Sequence, residues 1–298
     1  MVIRHDDLSG PALRLEPVAP AIGPFLQPHF VELVSGGAAE VFEHEEGAAV
    51  LHVEGGVVRF AGDAELTDYH SPLGGDTAGL FAELAASLGA DHRFDLDSMP
   101  IEAAEPVVKG LEMAGRTTTL EQHAVAAVLP LPGTFDEYLD SIGKKQRHEL
   151  RRKRRRYQEH LGEMVFESHT ERGWAFDEFV RLHRMAGGEK GTFMSDARRA
   201  FFASLLDCPG WEIDLLRIPG ETRAAACLFT YVDDEGWFLY NSAYDTEIRD
   251  ASPGAVIVGA GIERAIDQGA PVFDFLKGDE VYKFRMGAGE RPLFRVTA

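Results

Sequence analysis

The same order of predicted secondary-structure elements occurs twice along this chain of 298 residues. Each half contains three short apolar segments separated by turns rich in glycine and acidic residues, which predict a three-stranded β-meander. A helical pattern and one further strand follow in both halves, and a helix is the usual crossover between parallel neighbours in a sheet. The segments lie at residues 38–62, 76–89 and 92–97 in the first half, and at 211–245, 252–269 and 271–278 in the second. This repetition predicts an α/β (α+β) fold class in which a mixed sheet flanked by helices forms twice.

Matching residues keep a nearly constant offset between the halves, which favours an internal duplication over chance. The offset is 181 residues between the two Ser-Pro dipeptides, 180 residues between the glycines that follow the two helices, and 179 residues between the two Phe-Asp dipeptides. These pairs are Ser71-Pro72 with Ser252-Pro253, Gly89 with Gly269, and Phe94-Asp95 with Phe273-Asp274.

A break in the pattern at residues 130–133, with two prolines and a glycine, separates the halves. Thr134 and Glu137 follow at the spacing of a capping box, which satisfies free amide groups at the start of a helix. We therefore predict an N-terminal domain at 1–133, which is a degenerate copy, and a C-terminal domain at 134–298.

Composition limits the compartment and the kinds of site. No uncharged apolar run reaches the ~18 residues of a membrane-spanning helix, and charges near the N-terminus replace the apolar core of a signal peptide. Two cysteines, Cys208 and Cys227, are too few for a disulfide framework or a four-thiolate metal site, and the eleven histidines lack ligand spacing. We expect a soluble, cytoplasmic globular protein with no metal and no membrane span.

Positive charge is concentrated in one segment of an acidic chain. Residues 144–156 carry nine basic residues and one acid, whereas the whole chain has a net charge of −19 and the remainder has −27. A protein this acidic does not bind DNA or an anionic membrane through its general surface. Any contact with a polyanion is therefore predicted to lie in the basic segment.

The segment from Arg249 to Ala255 joins a predicted strand to a predicted helix and can bind an anion. Ser252 suits the N-cap and Pro253 the first helical turn, while Gly254 permits a ligand to approach the backbone. The free N–H groups and partial positive charge of a helix N-terminus attract anions, and Arg249 adds a full charge. The structural alternative is an ordinary capped helix.

The loop R-x-x-S-P-G at 249–254 resembles the R/Q-x-x-G-x-G/A pyrophosphate loop of the GNAT acyltransferase superfamily. The chain also resembles the CelD-type (cellulose-biosynthesis) acetyltransferases of the FemAB-like branch. This resemblance is carried, together with the loop, by KKQRHELRRKRRR at 144–156, HRMAGGEKGTF at 183–193 and DFLKGDEVYKFR at 274–285. The resemblance covers residues 135–298 strongly and the first half more weakly. It implies tandem GNAT-like (acyl-CoA N-acyltransferase) folds, with acetyl-CoA or another acyl-CoA as co-substrate.

This sequence departs from the family pattern at two places. Ser252 stands where the pyrophosphate pattern has its middle glycine, and the counterpart loop in the first half, residues 68–72, has an acid and no arginine. The first domain is therefore predicted to bind no coenzyme.

The resemblance also implies catalytic residues near the end of the chain. Tyr282 stands where GNAT enzymes often place a tyrosine near the leaving sulfur, and Lys283 matches the lysine of a Y/F-K pair that stabilises negative charge on the tetrahedral intermediate. Asp279 and Asp274 are the candidate general bases. The structural alternatives are that Asp274 only caps or pairs and that Tyr282 lies in the core.

Acceptor binding is assigned to basic side chains. On a helix through the basic segment, Arg147 and Arg151 share a stripe that is predicted to face the cleft between the halves, and Lys190 and Lys277 are further candidates. The alternatives are a solvated helix face and, for the loop around Lys190, a hinge between helices.

These features predict an acyltransferase that moves an acetyl or acyl group from acyl-CoA to an amine or a sugar hydroxyl. The expected acceptor is a small molecule or a glycan precursor, such as a precursor of a polysaccharide or of the cell envelope. Two alternatives stay open: a non-catalytic module that binds a phosphorylated ligand, and a FemAB-like transferase that uses aminoacyl-tRNA. The sequence lacks the long helical hairpin of the tRNA-dependent enzymes, which counts against tRNA. The oligomeric state is open, with a homodimer as one alternative.

Overall fold

The computed structural model describes residues 1–5, 8, 15–186 and 192–298. Its helices are α1 (Pro28–Ser35), α2 (Thr77–Leu88), α3 (Ile101–Met113), α4 (Phe135–Ser141), α5 (Lys144–Leu161), α6 (Trp174–Met185), α7 (Asp196–Leu206), α8 (Pro253–Asp267) and α9 (Val281–Arg285). Its strands are β1 (Ile3–His5), β2 (Glu40–His44), β3 (Gly47–Glu54), β4 (Val57–Phe60), β5 (Leu73–Gly74), β6 (Arg93–Met99), β7 (Thr119–Pro130), β8 (Val165–His169), β9 (Trp211–Arg217), β10 (Ala224–Asp233), β11 (Gly236–Tyr244), β12 (Val272–Lys277) and β13 (Gly289–Thr297). Within the described ranges, no helix combines the length and the apolar character needed to cross a membrane.

The chain divides into two compact units. Unit 1 comprises Met1–Ala126, Lys277–Asp279 and Glu290–Ala298, and unit 2 comprises Ala127–Leu276 and Glu280–Gly289. The first division falls inside β7, and the last residues of the chain belong to unit 1. The bounds of these units therefore differ from the predicted domain bounds, 1–133 and 134–298. Whether each predicted domain folds independently stays a prediction.

Unit 2 has the topology predicted for the second half. Strands β9, β10 and β11 form an antiparallel meander, β8 pairs with β9, and β12 lies parallel to β11. The order in the sheet is β12-β11-β10-β9-β8, with α8 as the crossover between β11 and β12. Helices α6 and α8 pack on these strands.

Unit 1 repeats this topology, as the internal duplication predicts. Strands β2, β3 and β4 form the meander, α2 is the crossover, and β6 lies parallel to β4. Strand β13 then pairs antiparallel with the other edge of β6, so that Phe294 faces Met99 across the ladder. The predicted C-terminal domain, 134–298, includes residues 290–298. They belong to unit 1 because β13 pairs with the free edge of β6 and buries Leu293 and Val296.

Two glycines let α8 pack closely in unit 2. A Cβ on Gly259 would lie 2.9 Å from Leu150 of α5, and a Cβ on Gly261 would lie 2.8 Å from Leu228 of β10. Carbon atoms this close overlap, so larger residues would push the helix away from both neighbours. The two glycines therefore hold α8 firmly between α5 and the sheet.

A buried ion network ties α8 to β8 and β9. Arg264 of α8 pairs with Asp214 and, at 2.8 Å, with Glu212, and its guanidinium carbon lies 4.7 Å from the ring centroid of Trp237. Asp214 is fully buried and also accepts a hydrogen bond from the hydroxyl of Ser168. Burial and the charge of Glu212 raise the pKa of Asp214, while Arg264 acts in the opposite direction.

Candidate active site

A cavity of about 920 Å³ opens in unit 2 at the N-terminus of α8. This volume is near the upper end of the ~300–1,000 Å³ typical of small-molecule sites. Its lining comes from one face of α5, the end of β11, the loop before α8, the first turn of α8, and α9. The lining residues are Ile142, Lys145, Gln146, Glu149, Leu150, Lys153, His183, Ala186, Ser242, Ala243, Tyr244, Thr246, Arg249, Ser252, Pro253, Gly254, Ala255, Val258, Tyr282, Arg285 and Met286.

Strands β11 and β12 pair only at their beginnings, and β11 continues towards the cavity. The paired residues are Trp237 with Phe273 and Phe238 with Asp274. Strand β11 runs six residues beyond Phe238, and its last three residues, 242–244, line the cavity. Beyond Phe238, the edge of β11 on the side of β12 is therefore open to an extended ligand, because backbone amide and carbonyl groups there have no strand partner in β12.

The loop before α8 has the conformation expected of a glycine-containing anion loop. The chain forms a 3-10 helix at Thr246–Ala251, and Ser252 then takes the left-handed conformation, with φ 61° and ψ 40°. Ser252 is the N-cap residue, as predicted, but its side chain does not cap the helix. Its carbonyl accepts the N–H groups of Ala255 and Val256, both at 3.2 Å. A serine thus holds the conformation that glycine favours, at the position where the family pattern has glycine.

Replacing Ser252 by glycine is expected to raise the free energy of unfolding. A residue with a Cβ costs about 1–2 kcal/mol in the left-handed region, and the added freedom of glycine in the unfolded chain offsets about 0.4–1 kcal/mol of the gain. Ser252→Gly should therefore be more stable by about 0.5–1 kcal/mol in denaturant unfolding. Ser252→Ala is the matched control, because it removes the hydroxyl but keeps the Cβ. Equal stability of the two variants would contradict the backbone argument.

The ring of Tyr244 packs so close to Gly254 that it leaves no room for a side chain at position 254. A Cβ on Gly254 would lie 2.9 Å from Cδ1 of Tyr244, whose half-exposed ring lines the cavity beside the first turn of α8. A larger residue at position 254 would displace this ring. The glycine therefore sets the shape of the cavity next to the helix N-terminus.

The cavity carries a net positive charge although the chain has −19 overall. Lys145, Lys153, Arg249 and Arg285 line it, with Glu149 as the acid among the lining residues. Arg152 holds Glu149 by two hydrogen bonds of 2.7 and 2.9 Å and lowers the pKa of its carboxyl group. The site is therefore suited to an anionic ligand.

The two predicted catalytic residues of α9 have different surroundings. Tyr282 lines the cavity with part of its side chain exposed, and its ring lies edge-on to Phe275. Partial burial, with a smaller effect of Glu280, raises the pKa of Tyr282 to about 12. Lys283 is 3% exposed, and its ammonium group bonds to Glu280 at 2.9 Å and to the carbonyl of Leu276 at 3.2 Å, so it is not part of the cavity lining.

The predicted bases do not belong to the lining either. Asp274 is fully buried and accepts the N–H of Leu276 at 2.7 Å, at a turn where Leu276 has a φ of 60°. This carboxylate thus supports the end of β12, as the structural alternative expected. Asp279 is exposed in the segment 277–279 that belongs to unit 1.

Three of the four predicted acceptor-binding residues also lie outside the lining. Arg147 donates to the carbonyl of Leu139 at 3.0 Å and pairs with Asp140, which fixes the turn between α4 and α5. Arg151 is exposed on α5. Lys277 belongs to unit 1, where its ammonium group bonds to the carbonyl of Thr67 at 3.1 Å. Lys190 lies outside the described residues.

Helix α5 does line the cavity, but through a different stripe from the one predicted. The cavity-facing side chains include Lys145, Glu149 and Lys153, at four-residue steps beside Leu150. Leu150 is buried against α8, which fixes the rotation of α5 about its axis. This rotation turns Arg147 and Arg151 away from the lining.

His183 lies in the cavity although it was not among the predicted site residues. This side chain is 4% exposed and lines the cavity from the last turn of α6. Its Nδ1 donates to the carbonyl of Phe179 at 2.8 Å, and its Nε2 lies 2.6 Å from Oδ1 of Asn241 in β11. The motif HRMAGGEKGTF begins with this histidine, which is the signal that could have identified it.

One group of potential metal ligands occurs in the described part of the chain. His44, Glu45 and Asp76 of unit 1 lie close enough together to hold a cation. Asp76 already caps α2 by accepting the N–H of Gly79 at 3.1 Å. This group forms no part of the cavity lining.

Comparison with known proteins agrees with this geometry. Residues 144–284 match the family model described as "Acetyltransferase (GNAT) domain". No curated protein sequence matches the chain. The family match includes α5, the loop before α8 and most of α9, which together supply most of the lining.

Solved structures similar to this chain share its fold at low sequence identity. A conserved protein of unknown function from Bacteroides thetaiotaomicron VPI-5482 has a TM-score of 0.67 and 12% identity, with 96% of this chain and 93% of that chain covered. FemX has a TM-score of 0.63 and 12% identity, with 93% of each chain covered. L-PGS from Bacillus licheniformis has a TM-score of 0.54 and 12% identity, with 90% of this chain and 86% of that chain covered. The predicted fold class, mixed α/β sheets in tandem GNAT-like folds, is confirmed.

Proposed function

We propose that unit 2 transfers an acyl group from acyl-CoA to an amine or a sugar hydroxyl. The observation that carries this proposal is that two binding elements open into one cavity. These elements are the N-terminus of α8, with Arg249 beside it, and the unpaired edge of β11. Acyl-CoA has a matching pair of features, because a charged pyrophosphate is joined to a linear pantetheine arm that contains two amides.

The binding mode follows from these two elements. The pyrophosphate binds at the N-terminus of α8, to the backbone N–H of Gly254 and the guanidinium of Arg249. The pantetheine amides pair with the backbone of β11 at residues 242–244, as an added strand would. The thioester then lies near Tyr282 and His183, which line the same cavity.

The reaction is a single displacement at the thioester carbon. The nitrogen or oxygen of the acceptor attacks the carbonyl carbon, the new C–N or C–O bond forms, and the C–S bond breaks. Tyr282 donates its proton to the leaving sulfur, and the proton that the acceptor loses passes to solvent water. No side chain of the site is assigned as the base: the two ring nitrogens of His183 face the carbonyl of Phe179 and Oδ1 of Asn241. Glu149 is held by Arg152, and Asp274 accepts a backbone N–H.

The finer identity of the enzyme is also part of the proposal. The motifs at 144–156, 183–193 and 274–285 support a CelD-type acetyltransferase of the FemAB-like branch. A sugar or amine on a polysaccharide or cell-envelope precursor is the acceptor that fits this branch. The most direct screen incubates the protein with acetyl-CoA and a panel of amino sugars, amines and sugar hydroxyls, and measures thiol release.

Replacing Arg249 by alanine is expected to weaken coenzyme A binding by about 1.5–3 kcal/mol, or roughly 10- to 150-fold in Kd. This is the usual range for a hydrogen bond to a charged group. Titration calorimetry with coenzyme A measures the change. Arg93→Ala, an exposed arginine of unit 1, is the control and should leave the Kd unchanged. An unaltered Kd for Arg249→Ala would remove the pyrophosphate assignment.

A further inference from the structure

The cations that line the cavity of unit 2 are divided between two ends of it. Lys145 and Lys153 lie eight residues apart on the same side of α5, which corresponds to about 12 Å along the helix axis. Glu149 lies between them, one turn from each, and both oxygens of its carboxylate accept hydrogen bonds from Arg152. This acid separates the positive charge of the cavity into two regions.

The first end adjoins the N-terminus of α8. The guanidinium of Arg156, three residues after Lys153, donates to the carbonyl of Asp250 at 3.4 Å, so the second half of α5 borders the loop that contains Arg249. Lys153 and Arg249 both line the cavity there. The proposed function assigns the pyrophosphate to this end.

The second end lies where the start of α5 meets the end of α9. A Cβ on Gly287 would lie 2.8 Å from Cγ2 of Ile142. Lys145 follows Ile142 by three residues, and Arg285 precedes Gly287 by two. Both cations line the cavity, together with Ile142 and Met286. Lys145 and Arg285 therefore supply the positive charge of this second end.

The charges of Lys145 and Arg285 are not neutralised by the protein. In the described part of the chain, the ion pairs of α5 and α9 are made by other cations, which are Arg147, Arg152, Lys153, Arg154 and Lys283. Lys145 and Arg285 are both exposed, and they line a ligand cavity in a chain with a net charge of −19. Two such cations can neutralise an anionic group of a ligand.

The binding mode of acyl-CoA leaves this second end to the acceptor. All phosphates of acyl-CoA belong to its nucleotide part, and the thioester lies at the far end of the pantetheine arm. Tyr282, which the proposed function places at the thioester, precedes Arg285 by three residues and therefore shares its side of α9. With the phosphates at Arg249, the cations beside the thioester face the second substrate.

We propose that Lys145 and Arg285 bind an anionic group of the acceptor, so that the second substrate is an amine or a sugar hydroxyl that also carries a phosphate or a carboxylate. This inference rests on the proposed acyl transfer and narrows the class of its acceptor. Phosphate and carboxylate share the charged oxygen atoms that lysine and arginine bind, and arginine can bind either group with two parallel hydrogen bonds.

The anionic group positions the acceptor and takes no part in the transfer. Its binding at the second end holds the nucleophile next to the thioester, which makes the attack effectively intramolecular. The acceptor nitrogen or oxygen then forms its bond to the carbonyl carbon, the C–S bond breaks, and coenzyme A leaves as the thiol. The phosphate or carboxylate remains on the product.

The first test asks whether an anion binds at the second end while coenzyme A occupies the first. The full chain is saturated with coenzyme A, whose Kd is measured by calorimetry, and inorganic phosphate or acetate is compared with sodium chloride at equal ionic strength. At least one of the two anions should raise the Tm above its value in chloride, because a ligand that binds only the folded state stabilises it. In Lys145→Gln/Arg285→Gln this increase should be lost, while the Kd for coenzyme A stays within twofold.

Lys144→Gln/Arg155→Gln is the matched control for this experiment. It removes the same amount of charge at two exposed positions, on the side of α5 opposite the residues that line the cavity. Phosphate also stabilises proteins without binding to a site, and that part of its effect is common to all variants. The control should keep the full increase in Tm, and an equal loss in both double variants would overturn the inference.

The acceptor screen gives a kinetic test of the same inference. Each pair of probes contains the same amine with and without an anionic group: glucosamine 6-phosphate with glucosamine, and glycine with glycinamide. The anionic member of at least one pair should have a kcat/KM at least tenfold higher than its neutral partner, and Lys145→Gln/Arg285→Gln should bring this ratio close to one. A preference for the neutral members would contradict the inference.

The outcomes separate this inference from the proposed function. If the native protein binds coenzyme A but neither anion adds stability, only the inference is wrong. If Lys145→Gln/Arg285→Gln weakens coenzyme A binding more than tenfold, as is expected of Arg249→Ala, the second end belongs to the coenzyme and the inference is also wrong. If the native protein does not bind coenzyme A, the proposed function fails and the inference with it.

Discussion

Replacing Tyr282 by phenylalanine is expected to lower kcat by a factor of about 10²–10⁴, the usual contribution of a positioned acid or base. The ring keeps its packing against Phe275, so the fold and the Kd for coenzyme A should not change. The leaving thiolate would lose its proton donor. The rate of thiol release from acetyl-CoA, with an acceptor found in the screen, measures the effect.

Tyr244→Phe is the matched control for this experiment. Tyr244 is also a partly exposed tyrosine of the same cavity, but it packs against Gly254. Removing its hydroxyl should leave kcat within about twofold. An equal loss of kcat in both variants would mean that the cavity needs tyrosine hydroxyls in general and not an acid at position 282.

The pH dependence of kcat gives a second measurement of Tyr282. Because its pKa is raised to about 12, this side chain stays protonated at pH values where an ordinary tyrosine, with a pKa of about 10, already ionises. The alkaline decline of kcat that comes from this acid should therefore be centred near pH 12 rather than near pH 10. A decline centred near pH 10 would contradict its role as the acid.

Replacing Arg264 by leucine is expected to destabilise the protein by about 3–5 kcal/mol, the usual cost of removing one partner of a buried ion pair. Asp214 is fully buried, so without Arg264 its carboxyl group must either hold a charge with no main counterion or take up a proton when the protein folds. Urea unfolding measures this loss. Arg217→Leu, which breaks a partly exposed pair with Glu167, is the control and should cost no more than about 1 kcal/mol.

The sign of the pH effect distinguishes a buried charge from lost packing. Burial raises the pKa of Asp214 in the native protein, and losing Arg264 raises it further. When the pKa of Asp214 is higher in the folded than in the unfolded protein, the free energy of unfolding is lowered at high pH. This loss disappears at pH values where Asp214 is protonated in both states. The destabilisation should thus be larger at about pH 8 than at about pH 5. A loss independent of pH would point to packing alone.

Local patterns predicted the elements around the site well. The R-x-x-S-P-G segment gave the loop and helix start, and the capping box at Thr134 and Glu137 is present, with hydrogen bonds of 3.0 and 3.2 Å. The repeated meander, helix and strand are also confirmed in both units. These features depend on neighbours in the chain, and such interactions can be read from a single sequence.

Side-chain directions could not be predicted in the same way. The rotation of α5 depends on Leu150 meeting Gly259, a contact between residues more than one hundred positions apart. His183 lines the cavity only because α6 packs beside β11. Asp274 was predicted as a candidate base on the last crossover strand, but the sequence did not reveal that its carboxylate accepts the N–H of Leu276 within β12.

The position of β13 has a consequence for synthesis on the ribosome. Strand β6 ends at Met99, whereas its partner β13 begins at Gly289, and the N–H of Phe94 donates to the carbonyl of Ala298 at 2.8 Å. At about 5–20 residues per second, translation of the intervening stretch takes roughly 10–40 s. During that time one edge of β6 waits without a partner, and such an edge can pair with another nascent chain. Unit 1 is thus completed only after most of unit 2 has been synthesised.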